Sequence, residues 1–438
     1  MFIHKVFLGM AFMVLVAGPG LALDAATVMP ALDAEVAADY PNLLALYEDI
    51  HAHPELGFQE TRTAAKLVGA MRALGFTVTA GVGKTGLVAI YRNGAGPTVM
   101  LRTELDALPL EEKTGLSYAS HDKAIWNGRE TFVAHACGHD VHMAIWVGTA
   151  KALLAMKDKW RGTLMFVGQP SEETVSGARA MLADGLYTRF GKPNFVVGIH
   201  DSPDAAGTLR WRFGAATTTV DSLEITFFGR GGHGAMPERT IDPVIMAARF
   251  IEDVQTVISR EKDPAAFGLI TIGGVQVGGA GNVIGDQAHL LGTIRTQDDR
   301  VRAKILEGLR RTAEGVAAIA GAPPPKVEIS LGTYAILDDQ AITSQTATVL
   351  KQAFGAQAEE QLVVTPASDD FSEYLRAGVP GTLLTLGAID PKLVAAAAAG
   401  GAPVPSNHSP LFAPVPEPTI KAGVEAMSLT IMNLLPKV

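Results

Sequence analysis

The chain has 438 residues, 48% of them apolar and 18% charged, with a formal net charge of −9. That length favours two or three domains over one core, the composition excludes a disordered chain, and the acidic balance disfavours nucleic acid or anionic lipid as a partner. A single cysteine excludes an intrachain disulfide framework and any Cys-rich zinc module. Residues 1–22 read as an export signal: Lys5, then an apolar run from Val6 to Ala17, then Gly18, Pro19 and Gly20 and small residues to Ala22. The run is shorter than the ~20 residues of a spanning helix. The expected product is therefore an exported protein, periplasmic or secreted, with no stable membrane association once the signal is removed.

From Asp39 to Phe213, strand patterns at Gly86–Arg92, Thr98–Arg102, Gly162–Val167 and Asn194–Ile199 alternate with helical patterns at Glu60–Leu74 and Asp140–Lys157. Such alternation predicts an α/β fold, a mixed, largely parallel sheet flanked by helices, with its chemistry at the loops beyond the carboxyl ends of strands. The texture changes after Ala215. Strand Asp221–Gly229, a Gly-rich turn (Gly229–Gly234), helix Asp242–Arg260, strands Gly268–Gly278 and Gln287–Thr296 and helix Asp298–Ala320 follow, closed by Pro323, Pro324 and Pro325. This β-α-β-β-α-β order predicts an inserted α+β, ferredoxin-like unit. The α/β texture resumes after Ile329. The expected division is therefore 1–22 signal, 23–214 catalytic domain, 215–328 insert and 329–438 return to the catalytic domain. The low-complexity run Ala395–Ala399 reads as a loop or short helix with no chemistry.

Ligand-type residues recur at loops and strand ends. Cys137 and His139 flank Gly138 in AHACGHDVH, a spacing from which a thiolate and an imidazole can converge on one small cation. Taken singly, the pair reads equally well as a buried thiol beside a loop histidine. Glu172 and Glu173 follow a strand in GQPSEET and would repel each other without positive charge between them. His200 closes a strand in GIHD, and His408 sits in SNHSPLF. Together these four places point to a metal centre.

The ordered set LRTELDALPL, AHACGHDVH, QPSEET, GIH, GRGGHGAMPERTIDP, GNVI…GTIRT, SDDF and HSPLF resembles the M20 metallopeptidases, in particular their amidohydrolase branch of hippurate, N-acyl-amino-acid and auxin-conjugate hydrolases. The resemblance implies two divalent metal ions bridged by Cys137, with His139 and His200 completing one site and Glu173 and His408 the other. It also implies Glu172 as general base and Asp106 as the carboxylate that orients a ligating imidazole. The insert becomes a lid and dimerisation domain. His233 of the partner subunit would stabilise the oxyanion across a homodimer, and Asn282 and Arg295 would hold the substrate carboxylate. A thiolate ligand favours zinc, with manganese, cobalt or nickel as alternatives. His142, three residues past His139, fits packing or support better than ligation.

Several positions depart from that pattern. Glu104 stands where aspartate is usual, Glu238 replaces a histidine, Gly285 a proline and Asp369 a glutamate, and Gly332–Gln340 lacks a tyrosine–proline pattern. The resulting expectation is hydrolysis of the amide bond of small N-acyl amino acids. Its alternatives are a dipeptidase or carboxypeptidase on ordinary peptides and, in another class, a catalytically inactive exported binding protein.

Overall fold

The computed structural model describes residues 23–437. The expected signal, residues 1–22, lies outside them. No described helix is long and apolar enough to cross a membrane.

The larger sheet has eight strands in the order Thr77–Val82, Gly86–Asn93, Gly162–Gln169, Thr98–Glu104, Phe195–Ala205, Gly381–Ile389, Leu209–Trp211 and Ala358–Glu360. Its middle, from Gly162–Gln169 across to Gly381–Ile389, is parallel throughout, so their carboxyl ends open on one edge. These strands are buried on both faces and read as near-continuous apolar runs. The expected α/β sheet is thus present, and its strands run slightly beyond their predicted ends.

Helix His139–Ala155 packs beneath the sheet between Ala25–His51 and Pro416–Leu434. It is buried around its whole circumference, which is why its sequence carries almost no polar face. Trp146 anchors it by donating Nε1–H to the Leu101 carbonyl (3.2 Å). Gly423 lets the last helix approach closely, because a Cβ there would lie 2.3 Å from Ile145.

The insert is a four-stranded antiparallel sheet, ordered Gly268–Val277, Gln287–Thr296, Asp221–Phe228 and Lys326–Leu331. Helices Pro243–Asp253 and Asp299–Ile319 cover one face and close a separate apolar core around Phe227, Phe250 and Leu309. The boundary expected after residue 328 falls inside the strand Lys326–Leu331, which pairs with Asp221–Phe228 and belongs to the insert. The helix expected to reach Arg260 ends at Asp253, and a π-helical turn, Val257–Glu261, follows. The Gly-rich turn holds Gly229, Gly231, Gly232 and Gly234. None of them has a positive φ; they make room instead, since a Cβ at Gly229 would lie 2.2 Å from the Ile241 carbonyl and one at Gly231 2.7 Å from that of Ile284.

Candidate metal centre

The carboxyl edge of the parallel strands carries the site. Thr98–Glu104 leads into Asp106, Gly162–Gln169 into Glu172 and Glu173, and Phe195–Ala205 bears His200. Cys137 and His139 arrive at the amino end of helix His139–Ala155, where the helix dipole favours an anionic sulfur. The turn between them requires glycine: Gly138 has φ 79°, and a Cβ there would fall on the Asp201 carboxylate. His408 comes from the far end of the chain, held by its own backbone N–H to the Ala136 carbonyl (2.7 Å).

These residues form two groups that share one atom. The ligand atoms of Cys137, His139 and His200 lie within 4.8 Å of one another, as do those of Cys137, Glu173 and His408. The imidazoles of His139 and His200 are each tethered from behind at one nitrogen. His139 Nδ1 donates to the Asp106 carbonyl (2.7 Å) and His200 Nδ1 to the Asp201 carbonyl (2.8 Å). Their Nε2 atoms are left for the centre: that of His139 has no hydrogen-bond partner, and that of His200 faces Cys137 Sγ at 3.7 Å. Glu173 Oε1 is likewise buried without a partner, while Oε2 lies 3.4 Å from His408 Nε2. A soft sulfur, imidazoles tethered from behind and an orphaned carboxylate oxygen make a donor set that fits a pair of divalent cations of the zinc type.

The electrostatics point the same way. Burial, and then the charge of Glu173, push the Cys137 thiol well above its ordinary range, so a thiolate there needs a cation beside it. Burial pushes up the Glu172 carboxyl too, with Asp369 and Glu173 adding to the effect. Its Oε2 stands 3.9 Å from His139 Nε2. A carboxyl group in that environment is suited to taking and returning a proton.

Asp106 does more than was expected of it. Its carboxylate accepts the backbone N–H of Glu172 at Oδ1 and of Glu173 at Oδ2, both at 3.0 Å, and its contact to His139 Nδ1 is longer, at 3.6 Å. The neighbouring N–H of Ser171 goes to Glu60 Oε1 (2.7 Å). Ser171 itself is left-handed at φ 52°. Two buried carboxylates thus hold three successive amides of the turn that aims Glu172 and Glu173, and the imidazole is oriented mainly by the Asp106 main chain.

Glu104, the unusual residue of its motif, is fully buried and joins Arg102 to His142 Nδ1 (3.1 Å). His142 Nε2 accepts the backbone N–H of Asp201 (2.9 Å). Both ring nitrogens are therefore engaged, and His142 supports the His200–Asp201 segment, as its position suggested. A backbone N–H can only donate, so this ring is the neutral tautomer protonated at Nδ1. That geometry outweighs the pull of Glu104 and Asp201 toward a charged ring. Arg102 also donates to Asp369 (2.8 Å) and Asp370 (3.1 Å) from Nη2 and to Gln169 Oε1 (3.0 Å) from Nε. Sequence reasoning missed Arg102, Glu60 and Asp201. Only Asp201, adjacent to His200 in GIHD, offered a signal.

The centre opens into a cavity of about 430 Å³ that also reaches Arg212, Arg295 and Asn407. Arg295, on strand Gln287–Thr296, brings the insert to the cavity. Burial lowers its pKa, and its guanidinium has no hydrogen-bonding or ionic partner among the described residues. His233 and Asn282 do not line this cavity. They sit together on an exposed two-stranded ribbon, where Gly232–His233 pairs with Val283–Ile284 and the Gly234 N–H donates to the Asn282 carbonyl (2.8 Å).

The comparisons with known proteins agree with this construction. The model of peptidase family M20/M25/M40 matches residues 100–428. The chain is 32% identical over 353 residues to an N-acetylcysteine deacetylase of Bacillus subtilis, covering 80% of this chain and 89% of the relative. It is 33% identical over 325 residues to the hippurate hydrolase of Campylobacter jejuni, covering 74% and 82%. Among solved structures, a dinuclear metal-binding peptidase of family M20 from Bacillus subtilis superposes with a TM-score of 0.75 at 28% identity, covering 91% of this chain and 99% of that one. The chain belongs to peptidase family M20/M25/M40 and is an M20-type hydrolase, related to deacetylases and hippurate hydrolase.

Proposed function

We propose that this hydrolase cleaves the amide bond of small N-acyl amino acids, releasing a carboxylic acid and a free amino acid. The observation that carries the reading is the pair of ligand groups sharing Cys137, with Glu172 beside them in a cavity that also holds an unpaired arginine. In this reading Cys137 would serve both cations, His139 and His200 would complete one site, and Glu173 and His408 would complete the other. Two divalent ions held there, zinc by preference, would supply an acidified water and a Lewis-acid partner for the scissile carbonyl. Glu172 takes the proton of the attacking water and delivers it to the departing amine. Arg295 holds the free α-carboxylate through its planar fork. The reading extends to export of the enzyme and to a homodimer in which Asn282 helps at the carboxylate and His233 of the partner subunit stabilises the oxyanion.

The test is Glu172→Gln. Metal content should stay that of the native enzyme while kcat on N-acetyl and N-benzoyl amino acids falls by ~10²–10⁴, the typical worth of one positioned acid–base group. An unimpaired variant would remove Glu172 as the base. A panel setting dipeptides against acylated amino acids separates this reading from the dipeptidase or carboxypeptidase alternative.

A further inference from the structure

Two guanidinium groups reach the cavity, and neither is neutralised by the protein. Arg212 follows strand Leu209–Trp211 and is fixed at two points: Nε donates to the Ala215 carbonyl and Nη1 to the Gln361 carbonyl, each at 2.7 Å. Those bonds immobilise the group without cancelling its charge, and they leave Nη2 and one Nη1 hydrogen available. Arg210, two positions earlier, shows the contrast, because Asp204 (2.6 Å) and Glu359 (3.0 Å) compensate it fully. The carboxylates that share the cavity are committed elsewhere. Glu172 and Glu173 face the metal centre, Asp369 belongs to Arg102, and Asp201 accepts from Asn407 (2.9 Å).

Arg212 and Arg295 are anchored on different segments of the cavity wall. Arg212 is tied at Ala215, whereas Arg295 lies opposite Val220, between the pair Asp221–Ile294 and the bond from the Thr219 N–H to the Thr296 carbonyl (2.7 Å). The linker Ala216–Val220 runs between them along the cavity wall. A fixed, half-buried guanidinium with no acidic partner favours an anion over any neutral group of the same size.

We infer that the preferred substrate is a dianion: an N-acyl amino acid whose α-carboxylate meets Arg295 and whose second anionic group, on the acyl chain or on the amino-acid side chain, meets Arg212. This rests on the amide-hydrolase reading above and adds a charge requirement at a second subsite. Two matched pairs test it on the native, metal-loaded enzyme. N-succinyl-leucine against N-butanoyl-leucine places the extra charge on the acyl side, and N-acetyl-glutamate against N-acetyl-glutamine places it on the amino-acid side. At least one charged member should be preferred by ~10- to 100-fold in kcat/KM, the range of one charge-assisted anchor. Arg212→Gln should bring that ratio toward one, and Arg212→Lys should restore part of it. Ratios at or below one in both pairs for the native enzyme, or a ratio that Arg212→Gln leaves unchanged, overturn the dianion proposal alone. No turnover of any of the four compounds overturns it together with the amide-hydrolase reading.

Discussion

The metal centre and the ribbon that carries His233 are built on opposite principles. At the centre, most groups that face inward are held from behind: His139 by the Asp106 carbonyl, His200 by the Asp201 carbonyl, and the Glu172–Glu173 turn by Asp106 and Glu60. These groups come from strand ends, the start of helix His139–Ala155 and a late loop, with Cys137, His139 and Glu172 buried, Glu173 and His200 half-buried and His408 exposed, so one chain closes the cluster by itself. On the ribbon, His233 is exposed, its Nδ1 accepts only the nearby Ala235 N–H (3.0 Å), and the apolar side chains of Met236 and Val283 are open to solvent. The contrast separates what a single copy completes, the capacity to bind cations, from what it presents outward.

The most severe way to break the first half of that comparison is to remove the shared ligand. Cys137→Ala deletes a donor from both groups at once and should lower metal stoichiometry at both sites, with turnover down by at least ~10³. Metal analysis beside kinetics checks it; a variant that keeps two ions per chain would show that the thiol is not shared.

The second half breaks at His233. His233→Ala should lower kcat by ~10²–10³, the worth of one oxyanion donor, while leaving metal content at the native level. Its environment sharpens the point. If the ribbon serves a second copy, mixing His233→Ala with Glu172→Gln protein should recover part of the activity, since a mixed dimer holds one intact site. Subunit exchange without recovery would place His233 outside the reaction of a partner.

What the sequence made readable follows the same division. Cys137, His139, Glu172, Glu173, His200 and His408 stood out because they are ligand types at loops or strand ends, where an α/β sheet puts its chemistry. The insert was readable because its elements are consecutive and its strand alternation is clean, as in Asp221–Phe228 with every second residue buried. The supporting layer was not. Arg102 lies inside a strand whose pattern gives no hint that its partners Asp369 and Asp370 are more than 260 residues away. The opening helix Ala25–His51 went unread because its alanine-rich stretch and internal Pro30 and Pro41 blur the periodicity, leaving a weakly amphipathic element that only tertiary packing defines. Asp106 was legible only through the family resemblance, and its two amide bonds depend on how the 170–173 turn is folded.

That unread helix ends in the smallest effect expected here, and the one that tests why the centre is rigid. His51 is buried between Asp140 and Glu112, with Nδ1 2.6 Å from Asp140 Oδ2 and Nε2 3.1 Å from Glu112 Oε1. Burial alone would lower its pKa, but the hydrogen bonds to Asp140 and Glu112 outweigh that and push it up to about 10. Asp140 follows His139 directly, so this ion pair pins the helix end that presents Cys137 and His139. A histidine with a raised folded-state pKa stabilises fully below its unfolded value, about 6.5, and loses that contribution as pH climbs through about 10. Between pH 7 and 10 the native protein should therefore lose stability to urea faster than the double variant Asp140→Asn/Glu112→Gln, in which both acids are neutral and burial keeps the imidazole uncharged. The difference in slope has a ceiling of ~1.4 kcal/mol per pH unit, one proton's worth of linkage. Groups that titrate elsewhere in this range are common to both proteins and cancel. Parallel curves would mean that the His51 pair adds nothing to the helix end, and the rigidity of the centre would then rest on the Asp106 and Glu60 bonds alone.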